Sequence, residues 1–150
     1  MSDEDDVSEL PTEQDFDPHG GDLDAQCAWK NFGGLTVDAA AKKFRENPGY
    51  YQEDFMFMGG KAFAFYFPVI EDYLRDLSDQ YDGDDRQSWI LAHCIKAQFD
   101  CSTENYIRRL APRLKALSQF VRQNVDRFGD DADDQRRIAD AWLELTTLLG

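Results

Sequence analysis

The chain has 150 residues, of which 30 are Asp or Glu and 16 are Lys or Arg, for a formal net charge of −14. This length is enough for one domain with an apolar core, and the charge disfavours direct binding to nucleic acid, which needs clustered Lys and Arg. No segment approaches the roughly 18 consecutive apolar residues of a membrane span, and the acidic start is unlike a secretory signal. We therefore expect a cytoplasmic protein without a membrane partner.

The acidic excess is concentrated at the N-terminus. Residues 1–25 hold ten acidic residues and no Lys or Arg, whereas the remaining 125 residues hold 20 acidic and 16 basic residues. The few apolar side chains of this segment offer little surface to offset the entropy of ordering the backbone. We predict a disordered acidic tail over residues 1–21 and one helical domain over residues 22–150.

The domain begins with two short helices that are marked by capping residues. Asp22 or Asp24 can cap the first helix, and Gly33-Gly34 can end it in a left-handed conformation. Thr36 is a good N-cap for the second helix, which ends at the Asn47-Pro48-Gly49 segment.

An aromatic segment follows, and its secondary structure is ambiguous. Eight aromatic residues fall within positions 50–67: Tyr50, Tyr51, Phe55, Phe57, Phe63, Phe65, Tyr66 and Phe67. The pattern over 55–67, with Gly59-Gly60 in the middle, is compatible with a β-hairpin. A helical apolar phase from 63 to 77 competes with it, and Pro68 would kink that helix or begin a second one. We favour the helix, and the alternative is an α+β fold with one small hairpin at 55–67.

The second half of the chain reads as three further helices. A helix over 86–99 is apolar around most of its circumference and should be largely buried. A long helix after Ser102 should be kinked or split near Pro112, and Asp130 or Asp131 can cap the last one. These patterns predict an all-α single compact bundle of five to seven helices.

One motif resembles a known group of proteins. The segment from Phe63 to Pro68, followed by Ile70 and Tyr73-Leu74, resembles a motif of small bacterial helical proteins of unknown function. In them an Ala-aromatic-x-Tyr-x-Pro segment runs into a helix. The resemblance covers about 12 residues, or about 20 with Phe57–Lys61 included. It implies a helix over 60–77 and a bacterial origin, and it implies no catalytic residue.

The sequence contains no recognisable catalytic, cofactor or metal motif. Cys27, Cys94 and Cys101 lack the paired spacing of zinc ligands, and their odd number argues against a disulfide framework. His93 lies on the apolar 86–99 helix, which favours a hydrogen-bonded core histidine over a metal ligand. The acidic loops do not match the calcium-binding loop pattern. We therefore predict a protein that is not an enzyme and that has no cofactor.

Tyrosines beside carboxylates form the remaining candidate site. Such pairs can bind Lys- or Arg-rich surfaces through hydrogen bonds and cation–π contacts. The predicted partner-binding residues lie after Pro48-Gly49 and in the acidic loops at 79–85 and 130–134; they are Tyr50, Tyr51, Glu53, Asp54, Tyr81, Asp82, Asp84, Asp85, Asp130 and Asp131.

These observations predict a non-enzymatic acidic module that binds a basic protein partner. An immunity-type inhibitor of a basic toxin or nuclease is the concrete form, in which acidic groups steer association and aromatic residues set specificity. A nucleic-acid mimic is one alternative, although residues 26–150 carry a net charge of only −4. A small ligand-binding or enzymatic bundle with a pocket between helices is the other.

Overall fold

A computed structural model describes residues 10–18, 20–76, 88–101, 108–129 and 131–148, and the regular structure among them is entirely helical. Within these residues, six helices have ten residues or more and three are single turns of four. In chain order the helices are α1 (Glu13–Phe16), α2 (Leu23–Phe32), α3 (Val37–Glu46), α4 (Pro48–Tyr51), α5 (Asp54–Phe57), α6 (Gly60–Arg75), α7 (Ser88–Cys101), α8 (Ala111–Gln123), a 3₁₀ turn (Val125–Arg127) and α9 (Ala132–Leu148). The all-α prediction is confirmed for these residues.

The aromatic segment is helical, so the alternative hairpin over 55–67 is wrong. Its aromatic residues lie on α4, α5 and α6, and α5 and α6 meet at Met58-Gly59. Pro68 lies inside α6 instead of beginning a new helix. A helix is favoured because its apolar phase buries one continuous face, whereas a lone pair of strands is marginally stable.

Capping residues set the helix boundaries where the sequence indicated. Asp22 accepts hydrogen bonds from the backbone N–H groups of Asp24 and Ala25, at 3.0 and 3.2 Å. The Thr36 hydroxyl accepts one from Ala39 N at 3.2 Å. Gly34 has a φ of +79°, a left-handed conformation that glycine adopts without strain.

Helix α6 lies at the centre of an aromatic core. The core aromatics are at most 2% exposed; they are Phe16, Phe32, Phe44, Phe55, Phe63, Tyr66, Phe67, Tyr73, Phe128 and Trp142. The Tyr66 hydroxyl lies 2.9 Å from the carbonyl of Phe32 and 2.7 Å from that of Leu35, so it fixes the end of α2 against α6. Burial raises the pKa of Tyr66 to about 12.

Helix α1 corrects the predicted extent of the tail. We expected disorder through residue 21, but Phe16 is fully buried, with ring centroids 5.4 Å from Trp29 and 5.9 Å from Tyr66. A capping box between Thr12 and Asp15 begins the helix. The buried Phe16 ring and a hydrogen bond of 2.8 Å from Gly59 N to the Phe16 carbonyl attach this segment to the domain, and residues 1–9 lie outside the described residues.

Helix α7 is less buried on one side than its sequence indicates. Leu91, Cys94 and Ile95 are fully buried, but His93 is exposed. The His93 ring is stacked on Trp89 with centroids 6.3 Å apart, so the prediction of a core histidine is wrong. The apolar side chains surround most of this helix and therefore do not reveal which side faces solvent.

The C-terminal helices α8 and α9 are joined by a short connection and pack against each other. Pro112 lies in the first turn of α8, a position that tolerates proline because its missing N–H has no helical partner there. Asp131 caps α9 by accepting a hydrogen bond from Asp134 N at 2.8 Å. The predicted helix upstream of Pro112 falls partly on residues 102–107, which lie outside the described residues.

Candidate protein-binding surface

Helices α4 and α5 place three side chains on one exposed stripe. Gln52 and Glu53, which join the two helices, have helical backbone angles, so residues 48–57 follow a nearly continuous helical path. Tyr50, Glu53 and Phe57 are spaced three and four residues apart and therefore lie on one face. Tyr50 is 62% exposed, Phe57 is 37% exposed and Glu53 is also exposed. We refer to these three residues as the α4–α5 stripe.

Tyr51 supports the stripe from the side. Its ring meets that of Tyr50 nearly at right angles, with centroids 4.9 Å apart, and it contacts the buried ring of Phe32 at 5.5 Å. The ammonium group of Lys43 lies 5.5 Å from the centre of the Tyr51 ring. Tyr51 is half-buried and thus holds Tyr50 in place.

Asp54, one of the predicted partner-binding residues, points into the bundle. It is 7% exposed, and its carboxylate accepts a hydrogen bond from the Asn31 side-chain amide at 2.8 Å. Lys43 donates to the Asn31 carbonyl at 2.6 Å, so α2, α3 and α5 meet at this point. Burial raises the pKa of Asp54 to about 6, although the Asn31 hydrogen bond and the charge of Lys43 act in the opposite direction.

Side chains of helix α7 form hydrogen bonds with the backbone of the α4–α5 segment. The Gln98 side-chain amide donates to the carbonyls of Phe55 and Met58, at 2.8 and 2.7 Å. The Cys94 thiol lies 3.5 Å from the Gln52 carbonyl, and burial raises the pKa of this thiol to about 12. The Gln98 amide thus satisfies carbonyls at the end of α5, whereas the Gln52 carbonyl also accepts from the backbone N–H of Phe55 at 3.3 Å.

Three of these supporting residues were missed by the sequence analysis. Asn31 and Lys43 act on Asp54 and Tyr51 from other helices, and no local pattern reveals such contacts. Gln98 did carry a signal in the sequence, because it is an amide within a largely apolar helix; in the structure it is only 4% exposed. A buried amide needs hydrogen-bond partners.

The predicted acidic loops do not join the stripe in the described part of the chain. Asp131 is exposed and caps α9, and no hydrogen bond or ion pair links it to α4 or α5 in the part that is described. The other loop predictions lie outside the described residues; they are Tyr81, Asp82, Asp84, Asp85 and Asp130.

An open acidic cleft of about 460 Å³ lies between α1 and the start of α2, and it is lined by Glu13, Gln14, Asp17, Pro18, Gly20, Gly21 and Gln26. Asp17 accepts hydrogen bonds from the backbone N–H groups of Gly20 and Gly21 and from the side chain of Gln26. Its carboxylate is therefore occupied in holding the α1–α2 turn.

Two other site types have no counterpart in the described ranges. No group of three or more His, Cys, Asp or Glu side chains there could hold a metal ion. None of the helices described is both long and apolar enough to cross a membrane. Cys27 is exposed and Cys94 is buried, and both are free thiols.

No family model, curated protein or solved structure matches this chain.

Proposed function

We propose that the chain is a non-enzymatic module that binds a basic protein partner through the α4–α5 stripe. The observation that carries this proposal is the alternation of apolar and acidic side chains on one exposed face: Tyr50, Glu53 and Phe57. An Arg or Lys side chain of the partner would pair with Glu53 and lie across the ring of Tyr50. Inhibition of a basic toxin or nuclease is the specific form of this function.

The aromatic residues make the α4–α5 stripe suitable for a protein interface. Exposed Tyr and Phe bury a large area on binding and lose little conformational entropy, and Tyr is enriched among residues that dominate binding energy. Tyr51 restrains Tyr50 before any partner arrives. Such preorganisation lowers the entropic cost of association.

Charge supports the same partner chemistry. The net charge of −14 attracts a basic protein over a distance of about a Debye length, roughly 10 Å at 0.1 M salt. Glu53 is the carboxylate of the stripe, and it faces solvent. The neighbouring Asp54 is instead directed into the bundle. Long-range attraction and a local contact therefore favour the same kind of partner.

The proposal is tested by titrating the full chain into a fluorescein-labelled peptide of repeating Arg-Leu-Gly units and measuring anisotropy. We expect Tyr50→Ala and Glu53→Gln each to weaken binding by about tenfold, as for interface residues that each contribute about 1.4 kcal/mol. Raising the salt concentration should weaken binding to the native chain more than binding to Glu53→Gln, because the variant has lost one ion pair.

Two variants serve as matched controls. Leu23→Ala removes an apolar side chain that is 81% exposed on α2, and Glu46→Gln removes an exposed carboxylate on α3. Neither residue belongs to the stripe, so neither change should alter binding beyond experimental error. If the stripe variants and the control variants lost the same affinity, the peptide would be responding only to the net charge of the chain. That result would contradict the proposed surface.

A further inference from the structure

A basic segment stands out in this acidic chain. Residues 108–127 contain six Lys or Arg residues and a single acidic residue, whereas the whole chain has a net charge of −14. The segment comprises the residues just before α8, α8 itself and the 3₁₀ turn after it. The α4–α5 stripe includes no residue of it.

Two of these basic residues lie on one side of α8. Lys115 and Arg122 are seven residues apart, which is close to two helical turns. Leu114 and Val121 each precede one of them and are fully buried on the core side. The basic side chains therefore form a row along the outer surface next to α9.

A buried polar cluster fixes the end of this row. The Ser118 hydroxyl donates to the Trp142 carbonyl at 3.0 Å and accepts a hydrogen bond from Thr146 at 2.7 Å, which joins α8 to α9. Arg122 Nε also donates to the Ser118 hydroxyl, at 3.3 Å. The guanidinium of Arg122 is thus held at the junction between the two helices.

Helix α9 adds one basic and one apolar side chain at the same junction. Arg136 and Leu143 are seven residues apart and therefore lie on one face of α9. Leu143 is three residues from Thr146, so this face borders the α8 contact. Leu143 is 50% exposed, so its apolar side chain is available for contact with a partner.

The basic side chains of this surface are not neutralised within the described residues. Elsewhere Arg113 pairs with Glu71 and Arg137 pairs with Asp134. No ion pair with a described residue is made by the three residues Lys115, Arg122 and Arg136. Together with Leu143 they form a surface that we term the α8–α9 face.

We infer that the α8–α9 face binds an acidic protein segment that carries at least one large apolar side chain. Carboxylates of the segment would pair with the basic row, and its apolar side chain would cover Leu143. Asp133 and Asp140 are exposed on the neighbouring row of α9 and limit the width of the basic surface. The phosphates of a nucleic acid would pair with the basic row but would leave Leu143 uncovered, so this exposed apolar side chain favours a protein segment. This inference does not depend on the proposed function, because the two surfaces differ in position and in sign.

The probe for this inference is a short fluorescein-labelled peptide of repeating Glu-Glu-Leu units, titrated with the full chain at about 25 and about 300 mM salt. We expect the double variant Lys115→Glu/Arg136→Glu to weaken binding about tenfold at low salt. Leu143→Ala should weaken it about threefold at both salt concentrations, because apolar burial is not screened by ions. Thermal melts followed by circular dichroism verify that each variant is folded.

The control is Lys42→Glu, which reverses an exposed charge on α3 and should leave peptide binding within twofold of native. A short oligothymidylate serves as the competing ligand, and we expect it to bind more weakly than the peptide. Absence of peptide binding by the native chain would overturn the inference. An equal loss in Lys42→Glu, or tighter binding of the oligothymidylate, would overturn it as well.

Discussion

Buried polar side chains contact both the α4–α5 segment and the α8–α9 pair, but the two regions depend on these contacts to different extents. Helices α4 and α5 have four residues each, too few to be stable alone. Their positions depend on Gln98 from α7 and on Asn31 from α2. These polar contacts from other helices and the buried ring of Phe55 together determine where the α4–α5 stripe lies.

The α8–α9 pair depends mainly on apolar packing. Its helices have 13 and 17 residues, and Leu114, Leu117, Ile138 and Leu145 are at most 1% exposed. The Ser118 cluster adds hydrogen bonds to helices that already bury an apolar face. Changes in buried polar groups should therefore cost more stability in the α4–α5 region than in the α8–α9 pair.

The largest expected effect is that of Gln98→Leu. This change removes the amide that donates to the carbonyls of Phe55 and Met58. Leaving a buried carbonyl without its donor costs about 1–3 kcal/mol, and with two such carbonyls we expect a loss of about 3 kcal/mol in the free energy of unfolding. Urea denaturation followed by circular dichroism measures the loss.

The matched control is Gln119→Leu, because Gln119 is an exposed amide on α8. It should change the free energy of unfolding by less than about 0.5 kcal/mol. If Gln98→Leu cost no more than this control, the α4–α5 segment would not depend on α7, and the contrast between the two regions would fail.

The second effect concerns the ionisation of Asp54. Its pKa is raised from 3.8 to about 6, chiefly by burial, so the folded chain binds this proton more tightly than the unfolded chain. The associated stability is fully present below pH 3.8 and is lost as the pH rises through about 6. Asp54→Asn keeps the shape and cannot ionise, so at about pH 7.5 it should exceed the native chain in stability by about 2 kcal/mol.

Urea denaturation at several pH values tests this effect. The difference between Asp54→Asn and the native chain should vanish near pH 4 and grow up to about pH 7. Asp72→Asn, which removes an exposed carboxylate on α6, should show no such growth. A constant difference between Asp54→Asn and the native chain at every pH would show that the carboxyl of Asp54 is not the titrating group.

The helix boundaries were predictable because local chemistry sets them. Asp22 and Thr36 cap their helices through side chains only two or three residues from the bonded N–H groups. The order around Phe16 was not predictable in this way. Its burial depends on Trp29 and Tyr66, which lie 13 and 50 residues further along the chain.

The site was predicted only in part, for a related reason. A helical path turns by about 100° per residue, so neighbouring residues point in different directions. Glu53 therefore faces solvent while Asp54 lies inside the bundle. Phe57 differs in the opposite direction. The aromatic-rich segment predicts that this residue belongs to the core, but it is 37% exposed. Hydrophobicity alone does not reveal which side of such a short helix other helices will cover.

The smallest effect of the comparison is expected from Ser118→Ala. Ser118 is fully buried and donates to the Trp142 carbonyl at 3.0 Å. The Thr146 hydroxyl also lies 3.0 Å from this carbonyl, so the carbonyl keeps a donor after the change. We expect a loss of about 1 kcal/mol in the free energy of unfolding, the net value of one hydrogen bond.

Urea denaturation of Ser118→Ala alongside Thr147→Ala completes the comparison. Thr147 is exposed, and its hydroxyl donates to the Leu143 carbonyl at 3.0 Å within α9, so its loss should be compensated by water. A cost for Ser118→Ala as large as that of Gln98→Leu would show that α8 and α9 also depend on their polar bridge. In that case Arg122 would be held by a cluster essential to the fold, and helix length would not explain how the two regions differ.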